Sequence, residues 1–211
     1  MSHSIGIGII TCDRPDFFTQ CRDSIDHSCY NHFVVVNDGN DDVVNPRAPV
    51  IKTKGREGVG KGKNKALKYL YEKGCDYIFL LEDDMIMLDN SVFNKYIKAH
   101  KASGIHHFNY GPGSPFNRKQ TIQNFDLHNR HELDQHTEPN PRLVIDYKDI
   151  KISLFTHTVA MFSFFTREVI EKTGYIDEEF YNAWEHVDHT YRIIKEGLHP
   201  PFWYFADIYD S

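Results

Sequence analysis

Apolar runs alternate with amphipathic segments along the first half of the chain. Four runs are rich in β-branched residues and end in polar turns, which predicts strands. These strands cover residues 5–10, 33–36, 50–53 and 77–81. The segments between them carry apolar residues at helical spacing, which predicts helices over 17–28, 60–73 and 91–103. Such alternation predicts an α/β fold, a single Rossmann-like domain with a mostly parallel central sheet flanked by helices.

The pattern changes in the second half of the chain. Residues 111–141 are polar, rich in Asn, Pro and His, and weakly periodic, which predicts a long loop. The elements expected after it are strands near 143–147 and 159–165, a helix from Thr166 to Gly174 and a last helix over 182–196. We therefore expect one domain over residues 1–211, with halves of 1–104 and 105–211.

Composition narrows the class of protein. The chain has 211 residues, of which 40% are hydrophobic, enough for one domain with a full core. A net charge of -6 gives no general attraction to nucleic acid or to an anionic membrane. No apolar run reaches the length of a membrane span. The four cysteines form no Cys-x-x-Cys pair and the first 30 residues lack a signal-peptide core, so we expect a cytoplasmic location.

Acidic residues follow three of the predicted strands directly. Asp13 follows the first strand, Asp38 the second, and Glu82-Asp-Asp84 the fourth. In parallel α/β sheets, ligands bind at the carboxyl ends of the strands. We therefore expect these acidic positions to meet at one edge of the sheet.

The acidic cluster of residues 82–84 is a candidate metal site. Carboxylates held close together repel one another unless a cation compensates, and oxygen ligands suit Mg²⁺ or Mn²⁺. The alternative is a solvated acidic turn. The five apolar residues directly before Glu82 favour the metal site, because they make the cluster emerge from the core.

The segment of residues 52–68 is basic and rich in glycine. Seven of its residues are Lys or Arg and four are Gly, a composition that suits binding of a phosphate group. It is not a P-loop, because Gly62 stands where a P-loop needs Ser or Thr. The alternative is a basic helix face that is only solvated.

The last predicted helix carries a second acidic set. Trp184, Val187, Tyr191 and Ile194 would form its apolar stripe. Glu185 and Asp188 would lie on the neighbouring stripe with Arg192. Spacing alone favours an ordinary ion pair between Asp188 and Arg192 over a catalytic base.

Five motifs, taken in order, resemble those of the GT-A fold glycosyltransferases of glycosyltransferase family 2. They are Thr11-Cys-Asp-Arg-Pro15, Val35-Val-Asn-Asp-Gly39, Gly58-Val-Gly-Lys-Gly-Lys-Asn64, Glu82-Asp-Asp84, and Glu185-His-Val-Asp188 with Arg192. The resemblance covers nearly the whole chain except residues 111–141. It implies a GT-A-like domain whose first half binds a nucleotide and whose second half faces an acceptor.

The resemblance also implies roles for individual residues. Those expected to bind the donor nucleotide are Thr11, Asp13, Arg14, Asp38, Lys61, Lys63, Asn64 and Asp83. Asp84, with Glu82, would hold the metal ion. Glu82 stands where the family has Asp, and His186 stands where the family usually has its catalytic Asp. The base would therefore be Glu185, Asp188 or His186, with Glu185 preferred.

The expected reaction is metal-dependent transfer of a sugar from a nucleotide-diphosphate sugar, with a UDP-sugar as the expected donor. An acceptor hydroxyl would attack with inversion, and residues 111–141 would shape the acceptor site. The acceptor stays open between saccharide, protein, lipid and modified nucleic acid.

Two alternative functions stay open as well. One is a sugar-phosphate nucleotidyltransferase, although its glycine-rich loop usually follows the first strand. The other is an inactive module that binds nucleotide or nucleic acid through residues 52–68.

Overall fold

A computed structural model of the chain describes residues 3–45, 47–111, 141–200 and 204–211. The four predicted strands of the first half are present. They are β1 (Ile5–Thr11), β2 (His32–Asn37), β3 (Val50–Lys52) and β4 (Tyr77–Glu82). They lie parallel in the order β3-β2-β1-β4, so their carboxyl ends share one edge of the sheet.

Five further strands come from the second half of the chain. They are β5 (His107–Asn109), β6 (Leu143–Tyr147), β7 (Ile150–Phe155), β8 (Phe162–Thr166) and β9 (Phe205–Ile208). β8 pairs antiparallel with β4, and β5 pairs antiparallel with β8, which completes a six-stranded sheet. β6, β7 and β9 form a separate antiparallel sheet. The predicted α/β class and largely parallel sheet are confirmed, whereas β5, β7 and β9 were not predicted.

Five α-helices lie in the described part of the chain. They are α1 (Pro15–Asp23), α2 (Val59–Glu72), α3 (Val92–Ser103), α4 (Arg167–Thr173) and α5 (Glu185–Lys195). The prediction of a helix over 17–28 was wrong at both ends. Pro15 begins α1, because its fixed φ suits the first helical turn. Asp26 starts a separate 3₁₀ turn by accepting a hydrogen bond from the Ser28 N–H.

Two apolar layers cover the six-stranded sheet. One face packs against α1, α3 and the three-stranded sheet, and the other packs against α2, α4 and α5. Nearly every residue of β1, β2 and β4 is buried, as expected for parallel strands covered on both faces. The polar residues at the strand ends therefore stand directly above a rigid core.

The last helix begins three residues later than its predicted start at residue 182, and it buries a different face. Trp184 is 65% exposed and has a left-handed backbone with φ 71°, so it precedes the helix instead of packing under it. The buried residues of α5 are Glu185, His189, Thr190, Ile193 and Ile194. Of the predicted apolar stripe only Ile194 is buried, because polar side chains held by buried partners occupy much of the inner face.

None of the helices in the described ranges has the length and apolar character needed to cross a bilayer. The four cysteines are free thiols. The predicted loop of residues 111–141 lies outside the described residues apart from its two end residues.

Candidate active site

The carboxyl ends of β1, β2 and β4 border an open cleft of about 490 Å³. The start of α2 and the residues around the start of α5 complete its walls. Of the predicted site residues, those that line the cleft are Thr11, Arg14, Asp38, Glu82, Glu185 and His186. The structure therefore brings together residues from both halves of the chain.

Asp38 organises the glycine-rich loop that leads into α2. Its Oδ1 accepts hydrogen bonds from Thr53 Oγ1 at 2.7 Å and from the Glu57 N–H at 2.8 Å. Its Oδ2 accepts from the Gly58 N–H at 2.9 Å. Asp38 is 5% exposed, so these contacts fix the loop against the end of β2. They also place Arg56 and Gly58 in the cleft wall.

Asp13 lies beside this loop and binds Arg56. Its Oδ2 accepts from Arg56 Nη2 at 2.8 Å, and its Oδ1 accepts from the Asn40 N–H at 2.5 Å. The backbone hydrogen bond from Asp41, then the Arg56 guanidinium, lower the pKa of the Asp13 carboxyl. Asp13 approaches Gly39 so closely that a Cβ there would lie 2.3 Å from Asp13 Oδ1. Glycine is therefore required at residue 39.

Arg14 joins the turn after β1 to the acidic cluster after β4. Its guanidinium forms ion pairs with Asp83 and with Asp84. Thr11 Oγ1 donates a hydrogen bond of 2.7 Å to Asp83 Oδ2, which is buried. Burial raises the pKa of Asp83, and this is only partly offset by Thr11 and Arg14. A side-chain cation thus already compensates two of the three carboxylates.

Lys63 compensates the third carboxylate and links it to α5. Its Nζ lies 2.9 Å from Glu82 Oε1 and 2.9 Å from Glu185 Oε1, and it donates to the Ala160 carbonyl oxygen. Burial alone would lower the pKa of Lys63, but the two carboxylates outweigh it and raise that pKa. The sequence predicted that Lys63 lies near the donor ribose or diphosphate, whereas the structure shows it as the buried centre of an ion network.

Glu185 is 3% exposed yet borders the cleft. Burial would raise its pKa, but the neighbouring His186 and the Lys63 ammonium lower it to about 2. Its carboxylate is therefore ionised at neutral pH. This is the protonation state that a general base needs.

His186 lies beside Glu185, and one of its ring nitrogens is already hydrogen-bonded. Its Nε2 lies 3.0 Å from the Thr158 carbonyl oxygen, so Nε2 carries a proton and donates it there. Its Nδ1 lies 3.4 Å from Glu185 Oε1 and has no hydrogen-bond partner. Nδ1 is therefore the ring nitrogen that faces the Glu185 carboxylate.

Asp188 lies outside the cleft wall. It accepts a 2.8 Å hydrogen bond from Arg192 Nε in the i, i+4 ion pair that its spacing favoured. Arg192 also donates to the Thr173 and Tyr175 carbonyl oxygens. The pair therefore fixes α5 to the segment that follows α4.

Asn64 and Lys61 also lie away from the lining of the cleft. The Asn64 side chain donates to the Ile176 carbonyl oxygen and accepts from the Ile176 N–H. Its contacts with Glu178 complete a structural link between α2 and the segment before α5. Lys61 is partly exposed near the start of α2.

Arg56 and Tyr181 are among the cleft residues that the sequence analysis did not predict as site residues. Arg56 could have been predicted from the sequence, because it lies between Gly55 and Gly58 in the basic segment. No feature of the sequence marks Tyr181 as a site residue, because its place in the cleft wall depends on the path of the chain before α5.

Within the described ranges, no three His, Cys, Asp or Glu side chains form a group that could hold a metal ion by themselves. The oxygen donors of Glu82 and Asp84 nevertheless match the preferences of Mg²⁺ and Mn²⁺. Such ions commonly take only one or two protein carboxylates and complete their coordination with substrate phosphates and water. Because Arg14 and Lys63 already pair with Asp84 and Glu82, a metal ion held by these two carboxylates would need further ligands from a bound phosphate.

The sheet order, the cleft at the strand ends and the two-sided helix packing define the GT-A fold, and comparison with solved structures confirms it. S. aureus TarS (residues 1–349) matches with a TM-score of 0.58 and 13% identity, over 90% of this chain and 55% of that chain. The chain thus spans about half the length of this neighbour.

Two further neighbours were solved with nucleotides. The mannosyltransferase PcManGT from Pyrobaculum calidifontis, in complex with GDP-Man and Mn²⁺, matches with a TM-score of 0.51 and 10% identity, over 83% of this chain and 48% of that chain. Glucosyl-3-phosphoglycerate synthase from Mycobacterium tuberculosis, in complex with UDP, matches with a TM-score of 0.51 and 14% identity, over 93% of this chain and 67% of that chain. No protein-family model and no curated protein matches the chain.

Proposed function

We propose that this protein is a glycosyltransferase that moves a sugar from a nucleotide-diphosphate sugar to an acceptor hydroxyl. The observation that carries the proposal is the cleft itself. It joins the strand-end carboxylates of the first half to Glu185 of the second half within a GT-A fold. The structural neighbours that hold GDP-Man or UDP support a nucleotide-sugar donor. A UDP-sugar is our first choice of donor.

The cleft has two ends of different chemistry. Asp38, Arg56 and the glycine-rich loop form one end, which we assign to the base and ribose of the donor. Glu82, Glu185 and His186 form the other end, which we assign to the diphosphate, the transferred sugar and the attacking hydroxyl. In this division most contacts with the donor come from residues 1–104, and the candidate base comes from residues 105–211.

Glu82 and Asp84 are the residues that would hold Mn²⁺ or Mg²⁺ at the second end. When bound, the ion would neutralise charge that develops on the leaving diphosphate. Arg14 forms ion pairs with Asp83 and Asp84 and supplies positive charge beside the candidate metal ligands. Glu185 would accept the proton of the acceptor hydroxyl as it attacks the anomeric carbon. A single displacement of this kind inverts the anomeric configuration.

Nucleotide binding should depend on Asp84. At about a hundred times its dissociation constant, UDP with Mn²⁺ should stabilise the fold by about 2.7 kcal/mol, measured as a rise in melting temperature. Asp84→Asn should remove the Mn²⁺-dependent part of this rise. The exposed Asp146→Asn is the matched control and should keep it.

A screen of UDP, GDP, CDP and their sugars, each with and without Mn²⁺, tests the proposal most directly. The absence of a shift with any of them would contradict the proposed function. Formation of a nucleotide sugar from a nucleoside triphosphate and a sugar phosphate would instead identify a nucleotidyltransferase.

Gly39→Ala should weaken nucleotide binding. The new Cβ would overlap Asp13, whose carboxylate holds Arg56 in the cleft wall, so the turn must shift. Overpacking of this kind typically costs about 1–3 kcal/mol of stability. Gly74→Ala is the control, because Gly74 has φ 78° but open space around it, so it adds backbone strain far from the cleft. Equal nucleotide affinity in both variants, measured by calorimetry, would refute the role given to the Asp13–Arg56 pair.

A further inference from the structure

Tyr181 forms part of the cleft wall at the end that contains Asp38 and Arg56. It is 52% exposed, although it belongs to no helix or strand. Its hydroxyl donates a 2.5 Å hydrogen bond to the Arg56 carbonyl oxygen, and its carbonyl oxygen accepts from the Val59 N–H at 2.9 Å. Two hydrogen bonds to the glycine-rich loop therefore hold this exposed aromatic residue in place.

Gly58 allows the ring to approach the loop. A Cβ at this glycine would lie 2.6 Å from the Tyr181 carbonyl oxygen and 2.8 Å from ring atom Cδ2. Gly58 also has φ 101°, a conformation that side-chain-bearing residues rarely adopt. The ring thus packs against bare backbone at the loop, while the residue remains half exposed and in the cleft wall. Its conformation is set before any ligand arrives.

The exposed side of an immobilised aromatic ring offers a stacking surface to a ligand group with a flat apolar face. The donor proposed above has one such group, its nucleobase. The other end of the cleft, where the buried Lys63 joins Glu82 to Glu185, is the one assigned above to the diphosphate and the reacting hydroxyl. A donor bound with its diphosphate there brings its base to the Tyr181 end.

We propose that the Tyr181 ring is the surface on which the donor nucleobase stacks. The inference rests on the proposed function and adds a binding residue to it. Stacking of a base on an aromatic side chain tolerates different bases, because every base has a π-face. Tyr181 would therefore contribute affinity for nucleoside diphosphates as a class, and the choice of base would come from other contacts.

Three substitutions separate stacking from other roles of this residue. Tyr181→Ala removes the ring, Tyr181→Leu keeps apolar bulk without a π-face, and Tyr181→Phe keeps the ring without the hydroxyl. Dissociation constants for UDP and for pyrophosphate, both with Mg²⁺, are measured by calorimetry. Thermal melting establishes that each variant is folded.

The Ala and Leu variants should bind UDP about tenfold or more weakly, whereas Phe should stay within about threefold of the wild type. Pyrophosphate, which has no base, should bind all four proteins within about twofold of one another. Wild-type affinity for UDP in Tyr181→Ala would overturn the inference and leave the proposed function standing. Equal losses for UDP and pyrophosphate would overturn it too, since the residue would then only support the loop. Failure of the wild type to bind any nucleotide would overturn both.

Discussion

Lys63→Met should destabilise the fold by about 3–5 kcal/mol, because it leaves buried carboxylate charge without a partner. The Lys63 side chain is 3% exposed and its Nζ lies 2.9 Å from both Glu82 and Glu185. Methionine has similar length and fits an apolar environment, so the loss would come from the missing charge. Urea unfolding followed by circular dichroism measures the change.

Lys68→Met on the same helix is the matched control. Lys68 is exposed, so its replacement should change stability by less than about 0.5 kcal/mol. Adding Glu185→Gln to Lys63→Met should recover part of the loss, because it removes the uncompensated charge. Equal stability of the Lys63 and Lys68 variants would show that the ion network does not support the fold.

The same network predicts a pH dependence. The pKa of Glu185 is about 2 in the folded protein, below its ordinary value of 4.5. A carboxyl group with a lowered pKa stabilises the fold above its unfolded pKa, and that stabilisation is lost as pH falls through the folded pKa. The wild type should therefore lose stability between pH 4.5 and about 2. Its advantage over Lys63→Met should shrink over that interval.

The position of the site could be predicted from the sequence because it depends on local pattern. The apolar runs that precede Asp38 and the cluster of residues 82–84 predict the positions of β2 and β4. They also predict the edge of the sheet at which these acidic residues meet. Parallel pairing of β1 with β2 and with β4 then follows from the alternation with helices. These features need no knowledge of contacts between distant residues.

The organisation within the site could not be predicted in this way. Lys63 has the composition signal of a phosphate ligand, yet its partner Glu185 lies 122 residues further along the chain. Asn64 similarly binds Ile176 across a separation of 112 residues. Burial of the Lys63 ammonium is stabilised by its contacts with Glu82 and Glu185, and the second contact depends on how α5 docks on α2. No local pattern contains this information.

The errors at α5 have the same origin. Helical periodicity placed Trp184 on the buried face, because an aromatic residue at that spacing ordinarily packs inward. In the fold Trp184 is exposed, Glu185 is buried in an ion pair with Lys63, and the buried His189 ring has its Nε2 on the Gly174 carbonyl oxygen. Buried polar groups that find partners override the apolar pattern.

Glu185→Gln should reduce turnover by on the order of a hundredfold or more while donor binding persists. The amide keeps the shape of the side chain but cannot accept the proton of the acceptor hydroxyl. Donor hydrolysis and transfer are measured together with the affinity for UDP, so that loss of chemistry is distinguished from loss of binding. Thermal melting separates both effects from the weakened contact with Lys63.

Two neighbours on α5 serve as comparisons for this variant. Asp188→Asn should keep turnover within a few-fold, because Asp188 lies outside the cleft wall and pairs with Arg192. His186→Ala tests the other group at this end of the cleft, whose Nδ1 has no hydrogen-bond partner. A large loss in His186→Ala with full activity in Glu185→Gln would move the base to the histidine. Full activity in all three variants would show that α5 does not supply the catalytic base, because every candidate base lies in its first turn.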